Sequence, residues 1–271
     1  MQAVFKTSER RACRVLGFSR TSNRYLAKRP AKDTALITRI HHLALKKPRY
    51  GYRRIHDALV REGWGVNKKR VARLWKQEGL QIKQKRKFVK SKGSSENACN
   101  KRIATHPNEV WTYDFLFDSA GSTTMKIMPV VDEFTRECLA IVVARNIDSK
   151  RVLEVLLELF EKQGKPKFIR SDNGTEYTAE YLKTYFDEEK ITTLHIAPGS
   201  PWQNGYCESF NGKFRDELLN LESFSTLKEA QVLVEQFRKE YNTERPHSSL
   251  KYLTPQEFKI YCKTKDSKVQ S

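Results

Sequence analysis

Apolar residues change their spacing along this chain, and that change limits the possible folds more than any other feature. Up to residue 82 they recur at helical intervals, as in Leu16, Phe18, Ile37, Ile40, Leu43, Ile55, Leu59, Val71, Leu74 and Trp75. From Lys83 to about Arg102 the period dissolves into Lys85-Arg86-Lys87, Lys90, Lys92 and Gly93-Ser94-Ser95-Glu96-Asn97, the composition of a basic linker. Beyond it, short alternating runs are interleaved with helical ones. The pattern predicts an all-α region over 1–82, a linker over 83–105, an α/β region over 106–222 and a helical extension over 223–271. A length of 271 residues suits one large or two modest domains.

Charge follows the same division. The first 105 residues hold 29 Lys and Arg against 6 Asp and Glu, a balance of +23, whereas the remainder is close to neutral at −4. Lysine and arginine gain affinity for nucleic acid by displacing counterions from phosphates, so the N-terminal part is expected to hold DNA. A ribosome-binding tail would be equally basic but lower in complexity, without apolar residues at helical intervals. No apolar run approaches the roughly 18 residues of a membrane span, and Met1 to Arg11 lacks a signal-peptide core. Five scattered cysteines without C-x-x-C spacing suggest neither a disulfide framework nor a zinc site. The expectation is a soluble cytoplasmic protein associated with the nucleoid and not with a membrane.

Two helix-turn-helix candidates lie in the basic part. In the first, a helix around Ala12 and Val15 breaks at Gly17, and Ser19 caps a second helix running past Tyr25. In the second, Tyr50-Gly51-Tyr52 leads into a helix with Ile55, Ala58 and Leu59 inward. Gly63 and Gly65 then flank a turn, and Asn67 caps a helix with Val71, Leu74 and Trp75 inward. The outer face of that last helix carries Lys68, Lys69, Arg70, Arg73 and Lys76, the expected DNA contact.

After the linker, Val110 to Phe115 alternates, with Trp111, Tyr113 and Phe115 on one face and Val110, Thr112 and Asp114 on the other. Met125 to Val131 and Glu137 to Val143 complete a three-stranded meander. A helix over Lys150 to Gln163, a strand over Lys167 to Arg170, a helix over Tyr177 to Glu189, a strand over Ile191 to Ile196 and a helix from about Gln203 to Leu221 follow. The order is β-β-β-α-β-α-β-α. Aspartate is disfavoured in strands, which marks Asp114 as a functional candidate. Asp172 exits a strand in Ser171-Asp172-Asn173-Gly174, which also reads as an ordinary turn. Glu208 shares a helix face with Asn204, Asn211 and Arg215, opposite Tyr206, Phe210, Phe214 and Leu221.

Three carboxylates so distributed can converge to hold two divalent cations about 3.5–4 Å apart, the arrangement phosphodiester chemistry uses. Carboxylates suit the hard ions Mg²⁺ or Mn²⁺. Catalysis and metal binding are therefore assigned to Asp114, Asp172 and Glu208, and DNA contact on the same helix face to Asn211 and Arg215. Asp118, Asp132 and Glu133 read as hairpin or turn residues, and His106 and His195 as structural. Glu176 reads as a helix-start charge. Asn173, Gly174, Trp202, Gln203 and Asn204 flank the triad, where they could hold a DNA end.

The motifs Trp111-Thr112-Tyr113-Asp114, Ser171-Asp172-Asn173-Gly174-Thr175-Glu176-Tyr177 and Pro198 to Gly212 resemble those of the DDE transposase and retroviral-type integrase superfamily, and more closely the OrfB-type transposases of bacterial insertion sequences. Between Asp172 and Glu208 lie 35 residues, a spacing characteristic of that family, and Arg215 stands at its basic position seven after the glutamate. Arg49-Tyr50-Gly51-Tyr52-Arg53-Arg54-Ile55 resembles its N-terminal signature. Tyr241-Asn242, Arg245-Pro246-His247, Leu250 and Thr254-Pro255 resemble its closing motif. The resemblance implies a ribonuclease H-like core, a mixed five-stranded sheet flanked by helices. It also implies Mg²⁺-dependent cleavage of DNA at the element's terminal inverted repeats, strand transfer into target DNA, a multimer on DNA, and partnership with an OrfA product or an OrfA–OrfB fusion. Retroviral integrases add a zinc domain with paired histidines and cysteines; here His41 and His42 are adjacent, so no zinc is expected. A non-catalytic regulator of element ends and a purely hydrolytic nuclease of the same fold are the competing readings.

Overall fold

Serine hydroxyls start the first two helices, because an N-cap oxygen satisfies a backbone N–H that the helix itself leaves unpaired. Ser8 caps α1 (Glu9–Val15) and Ser19 caps α2 (Arg20–Asn23), with Gly17 between them at φ +68°. Glu9 pairs with Arg24 and ties the two together. The computed structural model describes residues 7–24, 31–82, 102–171, 180–195 and 205–269, so the expected extension past Tyr25 lies outside the described residues. Helix α3 (Ala31–Lys46) buries Leu36, Ile40 and Leu43, with His41 half-buried and His42 exposed. These elements form one compact unit, Met1–Lys46; the second is Lys47–Ser271.

The second unit begins with the helix pair α4 (Tyr52–Arg61) and α5 (Lys68–Gln77). Ile55 and Leu59 of one helix and Val71, Leu74 and Trp75 of the other are buried, as their spacing predicts. Gly63 at φ +86° closes α4 through its N–H to the Val60 carbonyl, and Asn67 caps α5 through the Lys69 N–H at 2.8 Å.

The α/β part is built on β1 (Val110–Tyr113), β2 (Leu116–Ala120), β3 (Thr123–Asp132), β4 (Cys138–Ala144), β5 (Phe168–Ser171) and β6 (Thr192–His195). Strands β1, β3 and β4 form the expected antiparallel meander, and β5 and β6 add in parallel beside β1. Strand β2 is an addition to the strands that the apolar spacing predicts. It continues β1 in the same register along β3, with Tyr113 opposite Val130 and Leu116 opposite Ile127. The six strands therefore occupy five lines, a mixed sheet, and the break between β1 and β2 falls at Asp114–Phe115. Gly121 at φ +60° turns β2 into β3, the hairpin end expected beside Asp118.

Helices cover both faces. Trp111, Tyr113, Met128 and Val130 pack with α6 (Ser149–Gln163) and α7 (Glu180–Glu188), while Leu116, Met125 and Ile127 pack with α8 (Gly205–Phe214) and α9 (Leu227–Thr243). Asn242 fixes α9 to β4 by bonding both the N–H and the carbonyl of Cys138. Helix α10 (Pro255–Val269) starts with a reciprocal box between Thr254 and Glu257.

One expectation fails at the end of α8. A single helix to Leu221 would bury Leu221, yet Leu221 is 42% exposed. A wide π turn over Arg215–Leu219, with Asn220 N–H bonded to the Arg215 carbonyl at 2.8 Å, shifts the helical phase, and Leu218 and Leu219 enter the core instead. No described helix is long and apolar enough to cross a membrane.

Candidate active site

Asp114 stands where the strand line is broken, and its own side chain contributes to the break. Its Oδ1 accepts the N–H of Phe115 at 2.8 Å, a local bond that competes with the sheet ladder. Its Oδ2 accepts the side-chain amide of Asn211 at 3.0 Å. Asp114 is half-buried at the end of β1, and β5 ends beside it in parallel, with Thr112 opposite Arg170. Two residues beyond each of that pair stand Asp114 and Asp172 in the sequence. Asp172 lies outside the described residues, as do Asn173, Gly174, Glu176, Trp202, Gln203 and Asn204.

Helix α8 is stapled to this strand end. Besides the Asn211–Asp114 bond, the Cys207 thiol is fully buried and interacts with the Thr112 hydroxyl; burial, reinforced by the charge of Asp114, pushes its pKa well up, so it stays neutral. Phe210 and Phe214 anchor the same helix in the core, their rings 6.1 Å apart. Glu208, three residues before Asn211, is exposed in the helix's first turn, where the N-terminal dipole favours a negative charge. The arrangement joins Asp114, Asn211 and the Glu208 face of α8 in one place.

Asn211 takes a position that sequence reasoning did not give it. It was expected to meet a phosphate, but it is 7% exposed and holds Asp114. Arg215, at the start of the π turn, is exposed. On α5, Lys68, Lys69, Arg73 and Lys76 are exposed and Arg70 half-buried, and the Lys68 ammonium lies 5.5 Å from the centre of the Tyr252 ring. His106 is occupied locally by the Pro107 carbonyl at 2.9 Å, and the side chain of His195 is outside the description. Asp132 organises the β3–β4 turn by accepting the N–H groups of Asn108, Phe134 and Thr135. Glu133 forms a buried pair with Arg170 at 2.7 Å.

A second polar cluster had no assigned role in the sequence reading. Glu217, in the π turn, accepts two hydrogen bonds from Arg245, at 2.7 and 2.6 Å, and a third from Arg54 at 3.0 Å. Burial raises its pKa, but the Arg245 bonds and the surrounding positive charge prevail and hold it below the ordinary carboxylate value. Lys213, one helical turn before it, is pushed down to about 8 by burial and then by the charges of Arg245 and Arg54. Arg54 belongs to the Tyr-Gly-Tyr-Arg-Arg motif and Arg245 to the Arg-Pro-His motif, so Glu217 joins segments nearly two hundred residues apart in sequence. Nothing in the sequence around Glu217 marks it as that joint.

Among the described residues no three His, Cys, Asp or Glu side chains gather to hold a metal ion. The donor chemistry nevertheless fits a hard divalent cation: Asp114 offers carboxylate oxygens at a strand end, held in orientation by Asn211, with a further exposed carboxylate on the stapled helix.

Comparison with known proteins fits this geometry. Two families described as integrase core domain match residues 104–201 and 189–255, and one described as HTH-like domain matches 29–88. The chain is 40% identical over 252 residues to an uncharacterized 31.7 kDa protein of insertion element IS407 from Burkholderia multivorans, covering 93% of this chain and 90% of that one. It is 30% identical to the transposase for insertion sequence element IS904 from Lactococcus lactis, covering 79% of this chain and 89% of that one. It is also 30% identical to transposase InsD for insertion element IS2D from Escherichia coli, covering 85% and 80%.

Proposed function

We propose that in this chain, which belongs to the integrase-core transposases of bacterial insertion sequences, Asp114, Asp172 and Glu208 form the catalytic centre that cleaves and joins DNA. The observation that carries the assignment is the Asn211–Asp114 bond, which sets the Glu208 face of α8 against the end of β1. The enzyme is a polynucleotidyl transferase. Its DNA substrates are the element's terminal inverted repeats and a target duplex.

The three carboxylates would hold two Mg²⁺ ions, with Mn²⁺ able to substitute, and the ions when bound supply Lewis-acid stabilisation of charge on the reacting phosphodiester. The chain's own residues do the rest. Asn211 keeps Asp114 in one rotamer, which pre-organises the site and avoids reorganisation during reaction. Glu208, exposed on the helix, presents its carboxylate on the open side of the site. Arg215 is placed to offset phosphate charge. In the first reaction water attacks the phosphorus at the element end and expels the element's 3′-oxygen as a 3′-hydroxyl, leaving the phosphate on the 5′ end of the flanking strand; in the second that hydroxyl attacks a target phosphodiester in line and expels the target strand's 3′-oxygen. One centre serves both, since both are phosphodiester displacements by an oxygen nucleophile.

The region 1–82 would grip the element end through Lys68, Lys69, Arg70, Arg73 and Lys76, with 83–105 as a basic linker to the core of 106–222 and its extension of 223–271. Two ends must be brought together, which favours a homo-multimer on DNA. An OrfA product, separate or fused, is the proposed protein partner, in the bacterial cytoplasm at the nucleoid.

Joining of a labelled, pre-cut element end to plasmid DNA in Mg²⁺ tests the reading. Wild-type chain should join, and Glu208→Gln, Asp114→Asn and Asp172→Asn should each fail while still binding the end. Joining retained by any one of them removes that residue from the centre. Binding without joining by the wild type, even with OrfA supplied, would favour the regulator instead.

A further inference from the structure

A groove of about 910 Å³ opens between the start of α4, the α5 residues Trp75 and Lys76, and the Ser248–Tyr252 turn of the C-terminal extension. Its lining combines Arg49, Arg53, Arg54 and Lys76 with the rings of Tyr52 and Tyr252. Among the described residues no acidic side chain lines it, although Asp216 and Glu217 pair with Arg49 and Arg54 from beside it. The charge points to a polyanion, and the rings add flat apolar faces that a phosphate alone does not need.

The rings are held in place. Lys251 and Tyr252 have φ values of +56° and +67°, two consecutive left-handed residues that are neither glycine nor asparagine. Such a conformation is strained for a residue that carries a Cβ and persists only where its surroundings impose it. Here the Tyr252 N–H bonds to the His247 carbonyl at 2.8 Å, and Arg61 donates to the Tyr252 carbonyl at 3.0 Å while pairing with Glu257. The result presents the Tyr252 ring to the helix pair. Lys68 lies over that ring, and the Arg53 guanidinium, whose Nε is 3.2 Å from the Tyr52 hydroxyl, also interacts with Tyr252. Cations and aromatic faces thus alternate across the groove.

A cleft of about 910 Å³ is too small to take in a duplex, whose two grooves alone span roughly 18 Å. A single strand fits: its phosphates meet Arg53 and Lys76, while Arg49 and Arg54 are held by Asp216 and Glu217, and its unstacked bases meet the tyrosine rings.

We infer that this groove binds unpaired DNA, with Arg53 on the backbone and Tyr52 and Tyr252 as stacking platforms, so that the C-terminal extension and the helix pair together form a single-strand site that adjoins the outer face of α5 and shares Lys76 with it. That the nucleic acid is DNA rests on the proposed function; that it is unpaired rests on the groove.

Fluorescence anisotropy of labelled oligothymidylate with the full chain in EDTA tests this without catalysis, so a failed carboxylate assignment leaves the result unaffected. Tyr252→Ala should weaken single-strand binding about ten-fold, Tyr252→Phe should retain it, and Arg53→Gln should weaken it and flatten its salt dependence. Duplex binding should change less than two-fold in all three. Unchanged oligothymidylate affinity in Tyr252→Ala, or an equal loss for duplex, overturns the inference. If Tyr252→Ala fails to melt cooperatively, the exposed Arg53→Gln decides by the same criteria.

Discussion

Glu217 and Arg245 face each other through two parallel hydrogen bonds of 2.7 and 2.6 Å, with the arginine side chain 2% exposed. The pair lies next to Arg54 of α4, so the helix pair and the catalytic part share one carboxylate. A buried charge left without its partner is costly. Glu217→Gln is therefore expected to lower unfolding free energy by about 3–5 kcal/mol, read as a lower denaturant midpoint, and Arg54→Gln by much less because Arg245 keeps the carboxylate paired. Equal losses would show that the three groups do not divide the interaction in this way.

His247 gives the same cluster a pH dependence. Burial, and then the charge of Arg245, hold its pKa down to about 2, and its Nε2 lies 3.3 Å from an Arg245 nitrogen, so the ring is neutral in the fold. The unfolded chain, with an ordinary value near 6.5, binds the proton more readily. The contribution is therefore complete above about pH 6.5 and is lost as pH falls toward the folded value, at a rate approaching about 1.4 kcal/mol per pH unit. Urea titrations between pH 7.5 and 5 should show the decline, and His247→Asn should flatten it. A decline of equal slope in that variant would place the titrating group elsewhere.

Asn211 acts on the chemistry through Asp114. Asn211→Ala should reduce strand transfer about 10–100-fold and raise the Mg²⁺ concentration needed for half-maximal rate, with element-end binding unchanged. A merely structural role would lower thermal stability without moving the metal dependence. Rescue of rate by high Mn²⁺ is the expected signature of the positioning role.

Asn211 also illustrates how far the sequence could be read. Its spacing from Glu208 correctly put both on one helix, and Asp114 was conspicuous because an acidic residue interrupted an aromatic strand. What spacing does not reveal is depth: i, i+3 periodicity cannot say that Asn211 turns inward onto Asp114 while Glu208 stays out. Strand β2 escapes the pattern because Phe117 faces solvent and Asp118-Ser119 reads as a turn, and its pairing is dictated by β3. The π turn was missed for a related reason, since an i→i+5 bond carries no composition signal and shows itself only when Leu218 and Leu219 displace Leu221 from the core. The Glu217 joint depends on three segments meeting, which only the tertiary structure supplies.

The exposed face of α5 makes a separate prediction about binding. Lys69, Arg73 and Lys76 project from one ten-residue helix whose inner side is committed to the core by Val71, Leu74 and Trp75. If each meets one phosphate of the element end, replacing all three by Gln should reduce the slope of log affinity against log salt by roughly 2–3, since each contact contributes about 0.9. Circular dichroism should be unaltered, because no buried contact is removed and glutamine is as good a helix former as lysine or arginine. Strand transfer at saturating DNA should persist, as the carboxylates are untouched. A wild-type slope in the triple variant would move the duplex contact away from α5.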